Sequence, residues 1–232
     1  MLVRILATIG MMLALAAPAA AQTRVLDAFE DLTPWAADAS TDVDSTVTVV
    51  DGHDGEAMRL SYDFNGRSGY AFAARALPLT VPANYEIAFW VRGQGPTNTL
   101  EIKFVDASGE NVHWRRVPGW TAPNGWTLFT IKKRQIAFAW GPTTDKTFTG
   151  AARIEFVVTA GEGGEGFIEV DQLTLRELPP EPSVDPRPIA TASSAAGADV
   201  AARAVDDDPL TAWRSTGLGE QSLTLDLGYE RE

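Results

Sequence analysis

Between residues 25 and 178 apolar side chains recur at every second position, in short runs broken by turn residues. A period of two marks a strand with one buried face. Residues 57–64 alternate strictly, with Met58, Leu60, Tyr62 and Phe64 on one side. Asp51-Gly52 and Asp54-Gly55 before this run, and Asn65-Gly66 after it, read as turns. A second run covers 70–77. In residues 85–92, Tyr85, Ile87, Phe89 and Val91 form a core face, and Glu86, Ala88, Trp90 and Arg92 point away. Residues 99–106 repeat the scheme, with Leu100, Ile102 and Phe104 inward and Glu101, Lys103 and Val105 outward. The loop Asp106 to Asn111 leads into another strand at 112–115, and two more follow at 126–131 and 153–159. Four glycines in 161–166 turn the chain into a closing strand at 166–175, Gly-Phe-Ile-Glu-Val-Asp-Gln-Leu-Thr-Leu.

No amphipathic helix interrupts this series. Many short strands at regular spacing predict an all-β, two-sheet sandwich, and about 150 residues can bury a sizeable core. The opening strand, near Val25 to Asp31, and the closing strand are both acid-bearing, which suggests a sheet sealed by its two ends. Asp27, Glu30 and Asp31 brought near Asp171 would need a cation there.

The flanks of the sandwich differ in pattern. Residues 1–21 carry one charge, Arg4, an apolar run from Ile5 to Ala17, and Ala19-Ala20-Ala21 at the end. This reads as a secretory signal peptide, too short in its apolar part to span a bilayer. Removing it takes the formal charge from −12 to −13. Residues 22–178 then form the first domain. Residues 179–188 form a proline-rich linker, expected to be extended and semi-rigid. Residues 189–232 end on a strand-like stretch, Ser222 to Gly228, without later partners, and read as the front of a second domain.

Charge and composition narrow the chemistry. An acidic chain repels nucleic-acid phosphates and anionic membranes but suits neutral polymers and divalent cations. The absence of cysteine removes thiolate, zinc–thiolate and iron–sulfur chemistry, and only His53 and His113 could serve a histidine-based site. No nucleophile, P-loop or dinucleotide motif is present.

Residues 25–178 resemble a galactose-binding-like jelly roll of the kind found in non-catalytic carbohydrate-binding modules. The resemblance rests on Phe29-Glu30-Asp31, the 55–64 strand, Phe89 to Gly93, Trp126 to Lys133, Phe138 to Pro142 and the exit Ile168 to Leu173. Residues 190–228 resemble the start of a discoidin domain, also called the coagulation factor 5/8 C-terminal type. The residues that carry this are Ala190 to Ser194, Ala204 to Trp213 and Leu223 to Gly228, with Asp207 where that family commonly has glycine. The first resemblance implies a structural calcium between Glu30 and Asp171. The second implies calcium ligands at Asp206, Asp208 and Thr211, although the late acidic ligand expected near the end of such a domain is missing.

The candidate ligand surface is the outward face. Trp90 and Arg92 next to Glu101 and Lys103, with His113, Arg115 and Trp140, would stack a sugar ring and bond its hydroxyls. Trp114, Trp120 and Trp126 read as core or loop anchors. The sequence thus predicts an exported, monomeric, non-catalytic protein, periplasmic or extracellular, that binds a poly- or oligosaccharide. Two alternatives stay open. One is an accessory part of a glycoside hydrolase or polysaccharide lyase whose catalytic module lies downstream. The other is a surface adhesion module.

Overall fold

The computed structural model describes residues 23–180, 187–206, 208 and 210–227. The predicted signal peptide, most of the proline-rich linker, Asp207 and Gly228 lie outside the described residues. The chain divides into two compact units, with the boundary between Pro180 and Glu181.

The first unit is a sandwich of two antiparallel sheets. Its strands, in chain order, are β1 (Thr23–Asp27), β2 (Ala36–Ala39), β3 (Asp44–Asp51), β4 (Glu56–Asp63), β5 (Tyr70–Thr80) and β6 (Tyr85–Gln94). They continue as β7 (Asn98–Val105), β8 (Val112–Trp120), β9 (Thr127–Lys132), β10 (Ala137–Trp140), β11 (Gly150–Thr159) and β12 (Glu165–Glu177). One sheet, here sheet A, has the order β3-β4-β12-β6-β9, with β1 also pairing with β12. The other, sheet B, has the order β10-β8-β7-β11-β5-β2.

The inner faces are the apolar positions of the alternating runs. Leu60 of β4, Ile87, Phe89 and Val91 of β6, and Ile168 and Val170 of β12 are all buried from sheet A. Ala71 and Ala73 of β5, Leu100, Ile102 and Phe104 of β7, and Ile154, Phe156 and Val158 of β11 are buried from sheet B. Phe89 meets Phe156 edge-to-face across the core, with ring centroids 5.0 Å apart, the geometry favoured by the ring quadrupoles.

The opening and closing strands do seal one sheet, since β1 runs antiparallel to β12 from Thr23 against Arg176 to Asp27 against Leu173. Three strands have no counterpart in the predicted series: β2, β3 and β10. A larger correction concerns β6 and β7. They follow one another through Gly95-Pro96-Thr97 but belong to opposite sheets, so Trp90 and Arg92 cannot share a face with Glu101 and Lys103.

The second unit contains a two-stranded sheet, β13 (Ile189–Ala192) against β14 (Leu223–Asp226), and one 3-10 turn at Ala201–Ala204. It shows this small sheet among its described residues rather than a second sandwich. Trp213 Nε1 donates to the Ser194 carbonyl at 2.8 Å and ties the intervening loop to the end of β13.

Candidate functional site: the outer face of sheet B

Directly paired residues of antiparallel strands point to the same side. The registers therefore place side chains without ambiguity. Lys103 pairs with Trp114 and Glu155, Glu101 pairs with Arg116 and Val157, and Val157 pairs with Phe72. All of these lie outward on sheet B. Tyr70 and Trp140 flank them and are 43% and 47% exposed.

These rings form a connected surface. Trp114 and Trp140 stand perpendicular with centroids 5.5 Å apart. The Lys103 ammonium sits 5.3 Å from the Trp140 centroid and 5.6 Å from that of Tyr70. Tyr70 in turn lies 6.1 Å from Phe72. A cation held between two rings gains from their quadrupoles and fixes their spacing.

The charges between the rings are paired. Glu101 is buried at the floor, and it accepts from Lys103 Nζ at 3.3 Å and from Arg116 Nε at 3.1 Å. Glu155, also buried, meets Arg153 Nη2 at 2.7 Å. The face is thus an aromatic platform with an ion-paired polar floor, on which Lys103, Arg116 and Arg153 outnumber Glu101 and Glu155 by one. It offers apolar ring faces for a pyranose and fixed donors and acceptors for its hydroxyls.

The predicted ligand residues separate into three groups. Glu101, Lys103 and Trp140 belong to this platform. His113 and Arg115 do not. His113 pairs with Phe104 and Arg115 with Ile102, which turns both toward the inner side. His113 is buried against Phe138 and Phe148, and its Nε2 is 2.9 Å from the Lys146 carbonyl. The outward residue of this strand is Trp114, which the sequence reading took for an anchor. Trp90 and Arg92 lie on the outer face of sheet A. One face of the Trp90 ring is covered by His53, stacked at 3.8 Å and 9°.

Tyr70, Phe72, Trp114, Arg116 and Glu155 were missed. The signal for Tyr70 and Phe72 was present, since Ala71 and Ala73 alternate with them in the 70–77 run. In 112–116 aromatic and charged residues occupy both parities, so only the pairing with Phe104 and Lys103 fixes the phase.

The predicted metal corner has a clear structure of its own. Asp171 is fully buried at a bulge in β12, where Gln172 has φ +50°. Its Oδ2 accepts from the amides of His53 and Asp54 at 2.8 and 2.9 Å, and its Oδ1 from Gln172 at 2.6 Å. Glu30 Oε1 accepts from the Glu56 amide at 3.1 Å. Both carboxylates therefore grip the β3–β4 hairpin. Glycine is required at position 55 of that hairpin, because its φ is +70° and a Cβ would strike Glu30. Among the described residues no three histidine, cysteine or acidic side chains form a group that could hold a metal. A calcium ion here would have to draw on backbone carbonyls beside Glu30 and Asp171.

Two further acidic groups sit elsewhere. Asp27 pairs with Arg75 and accepts from Trp35 Nε1 at 2.9 Å. In the second unit Thr211 Oγ1 lies 2.8 Å from Asp206 Oδ2, a bond that holds the Asp206 carboxyl below its usual range. Asp208 Oδ1 accepts from the Leu210 amide at 2.9 Å. These are the contacts of an acidic turn. No helix is long and apolar enough to cross a membrane among the described residues.

Similarity to known proteins enters at the level of fold. No family model matches the sequence, and a search of curated proteins finds no match. Among solved structures, the family 11 carbohydrate-binding module of the cellulosomal cellulase Lic26A-Cel5E of Clostridium thermocellum superposes with a TM-score of 0.57 at 19% identity, covering 72% of this chain and 100% of that one. The Clostridium thermocellum module in complex with a β-1,3-1,4-mixed-linked tetrasaccharide gives 0.57 at 19% identity, over 70% of this chain and 100% of that one. A solution structure of the module, CtCBM11, gives 0.54 at 16% identity over 70% and 99%. The first unit thus has the two-sheet sandwich fold of a family 11 carbohydrate-binding module.

Proposed function

We propose that this protein is a non-catalytic, exported binder of a neutral polysaccharide, and that the glycan lies along the outer face of sheet B. The observation that carries this reading is the Trp114, Trp140, Lys103 and Tyr70 array, in which rings with cations no nearer than 5.3 Å to their centroids surround an ion-paired floor. Such a surface stacks on pyranose rings while its ion-paired Glu101, Lys103 and Arg116 supply directed bonds. The fold likeness adds support, because a protein of that fold was solved with a β-1,3-1,4-mixed-linked tetrasaccharide. A mixed-linked β-glucan is therefore the first ligand to test.

The test is a glycan array and a polysaccharide pull-down with the full chain and with Trp140→Ala. The proposal expects saturable binding to a neutral glucan, weakened at least tenfold in the variant at unchanged Tm. No binding to any neutral glycan, or equal binding by the variant, refutes it.

We also propose calcium at the Glu30–Asp171 corner, supported by the two carboxylates bracketing one hairpin. Its check is the Tm with calcium against chelator, and no difference rejects it. For residues 187–227 the front of a discoidin-like domain is a proposal supported by sequence alone.

A further inference from the structure

We propose a second binding site, on the opposite outer face, for a saccharide that carries a single carboxylate, such as a terminal uronate. The registers of β3, β4, β12 and β6 lay three rows across sheet A. Asp44, Asp63 and Glu165 form the first, and Thr46, Ser61, Phe167 and Gln94 the second. Thr48, Arg59, Glu169 and Arg92 form the third. A cavity of about 550 Å³ lies over the first two rows, and one of about 350 Å³ over the last two. Both are lined by Gln94 and Phe167, so they make one groove.

The third row is a built receptor. Glu169 is fully buried and accepts from both Arg59 and Arg92. Two guanidiniums on one carboxylate leave an excess of one positive charge. Each guanidinium carries five N–H donors. Arg59 uses Nε and Nη2 on Glu169, while Arg92 uses Nε on Glu169 and Nη2 on the Asp51 carbonyl at 3.2 Å. Each is also clamped by a ring: Arg59 lies 4.2 Å from the Phe167 centroid, and Arg92 lies 4.5 Å from that of Trp126. Forks fixed before the ligand arrives lose little entropy on binding a carboxylate.

The second row suits the rest of a sugar. Ser61 and Thr46 offer hydroxyls, and Gln94 with Asn124 offers amides, along a wall stiffened by the Phe167 ring that Arg59 covers. The first row then sets a limit. Three carboxylates at the far end of the groove repel a second negative charge, so a chain of uronates is rejected while one terminal uronate is accepted. This site does not depend on the sheet B platform, and the two are separable by their tryptophans.

The test is a titration of the full chain with three probes, followed by the indole N–H signals in NMR. The probes are a disaccharide ending in glucuronate, its neutral counterpart, and an oligogalacturonate. The proposal expects saturable binding of the first only, with the Trp126 signal moving and those of Trp114 and Trp140 still. Gln94→Ala and Arg59→Lys should each weaken it about fivefold or more. Should Arg59→Lys fail to fold, Gln94→Ala decides alone. Absence of saturation, equal binding of the neutral probe, tighter binding of the oligogalacturonate, or movement of Trp114 and Trp140 instead would overturn it.

Discussion

The two outer faces of the sandwich hold similar side chains and use them differently. On sheet B the rings of Tyr70, Trp114 and Trp140 border a floor whose acids are neutralised by Lys103, Arg116 and Arg153. On sheet A aromatic rings are already engaged: His53 stacks on Trp90, Arg92 on Trp126 and Arg59 on Phe167. Residue type alone therefore does not identify an aromatic binding platform. What separates the faces is how closely a neighbour covers the ring: His53, Arg59 and Arg92 lie 3.8–4.5 Å from their ring centroids on sheet A, whereas Lys103 and Arg116 lie 5.3–5.7 Å from theirs on sheet B. A ring capped at contact distance stiffens a wall, and one whose cation stands farther off keeps more of its face for a sugar.

The sharpest way to break the comparison is on sheet A. Glu169→Ala should cost about 2–3 kcal/mol of stability, because it leaves two guanidiniums facing each other without their buried partner, while water screens part of the repulsion at side chains about a third exposed. Urea unfolding at constant m-value measures this, and a loss under about 1 kcal/mol would mean the network is only a solvated surface pair. Next in size is Trp114→Ala on sheet B, which should remove about 2 kcal/mol of glycan binding, roughly 30-fold in Kd, with little change in Tm. Calorimetric titration checks it, and a fall in Tm without loss of affinity would make Trp114 an anchor after all.

A smaller effect belongs to the corner that both faces depend on. Asp171→Asn keeps the shape of the side chain but replaces one of the oxygens that take three amide bonds with an amino group. It should destabilise by about 1–3 kcal/mol and leave glycan affinity nearly unchanged. Joint loss of stability and binding would mean the hairpin supports the ligand face. The smallest effect is at Asp106, in the β7–β8 turn. Bonds from Asn111 and Ser108 hold its carboxyl down to about 2. A depressed folded value stabilises above the ordinary carboxylate range, and that stability is lost as pH falls through about 2. In Asp106→Ala, the acid side of the Tm–pH curve should flatten slightly between these limits, and an unchanged curve would show that the turn is indifferent to this charge.

Much of the fold was legible because its central strands bury one face. In β6 and β7 the alternation assigned every inward residue correctly. Edge strands carried less information. β3, Asp-Ser-Thr-Val-Thr-Val-Val-Asp, has no fully buried residue, and β10 is only four residues long. Sheet membership was not legible at all. A hairpin and a crossing between sheets both present one apolar face inward, so the pattern of Trp90 and Arg92 beside Glu101 and Lys103 could not reveal that Gly95-Pro96-Thr97 carries the chain across. The platform was half seen for the same reason. Lys103 and Glu101 were placed outward by their parity and Trp140 was named without a strand to place it, while His113 and Trp114 exchanged faces because β8 carries polar and aromatic residues on both parities. The corner at Glu30 and Asp171 was named from two acidic strand ends, while two of the three amides that Asp171 binds come from a hairpin more than a hundred residues away.

The central claim is that a neutral glycan uses sheet B and spares sheet A. The seven tryptophans report on it directly, since each indole N–H gives its own NMR signal. Titration with a mixed-linked β-glucan tetrasaccharide should move the signals of Trp114 and Trp140 and leave those of Trp90 and Trp126 in place. Movement of Trp90 and Trp126 with Trp114 and Trp140 unmoved would contradict the account.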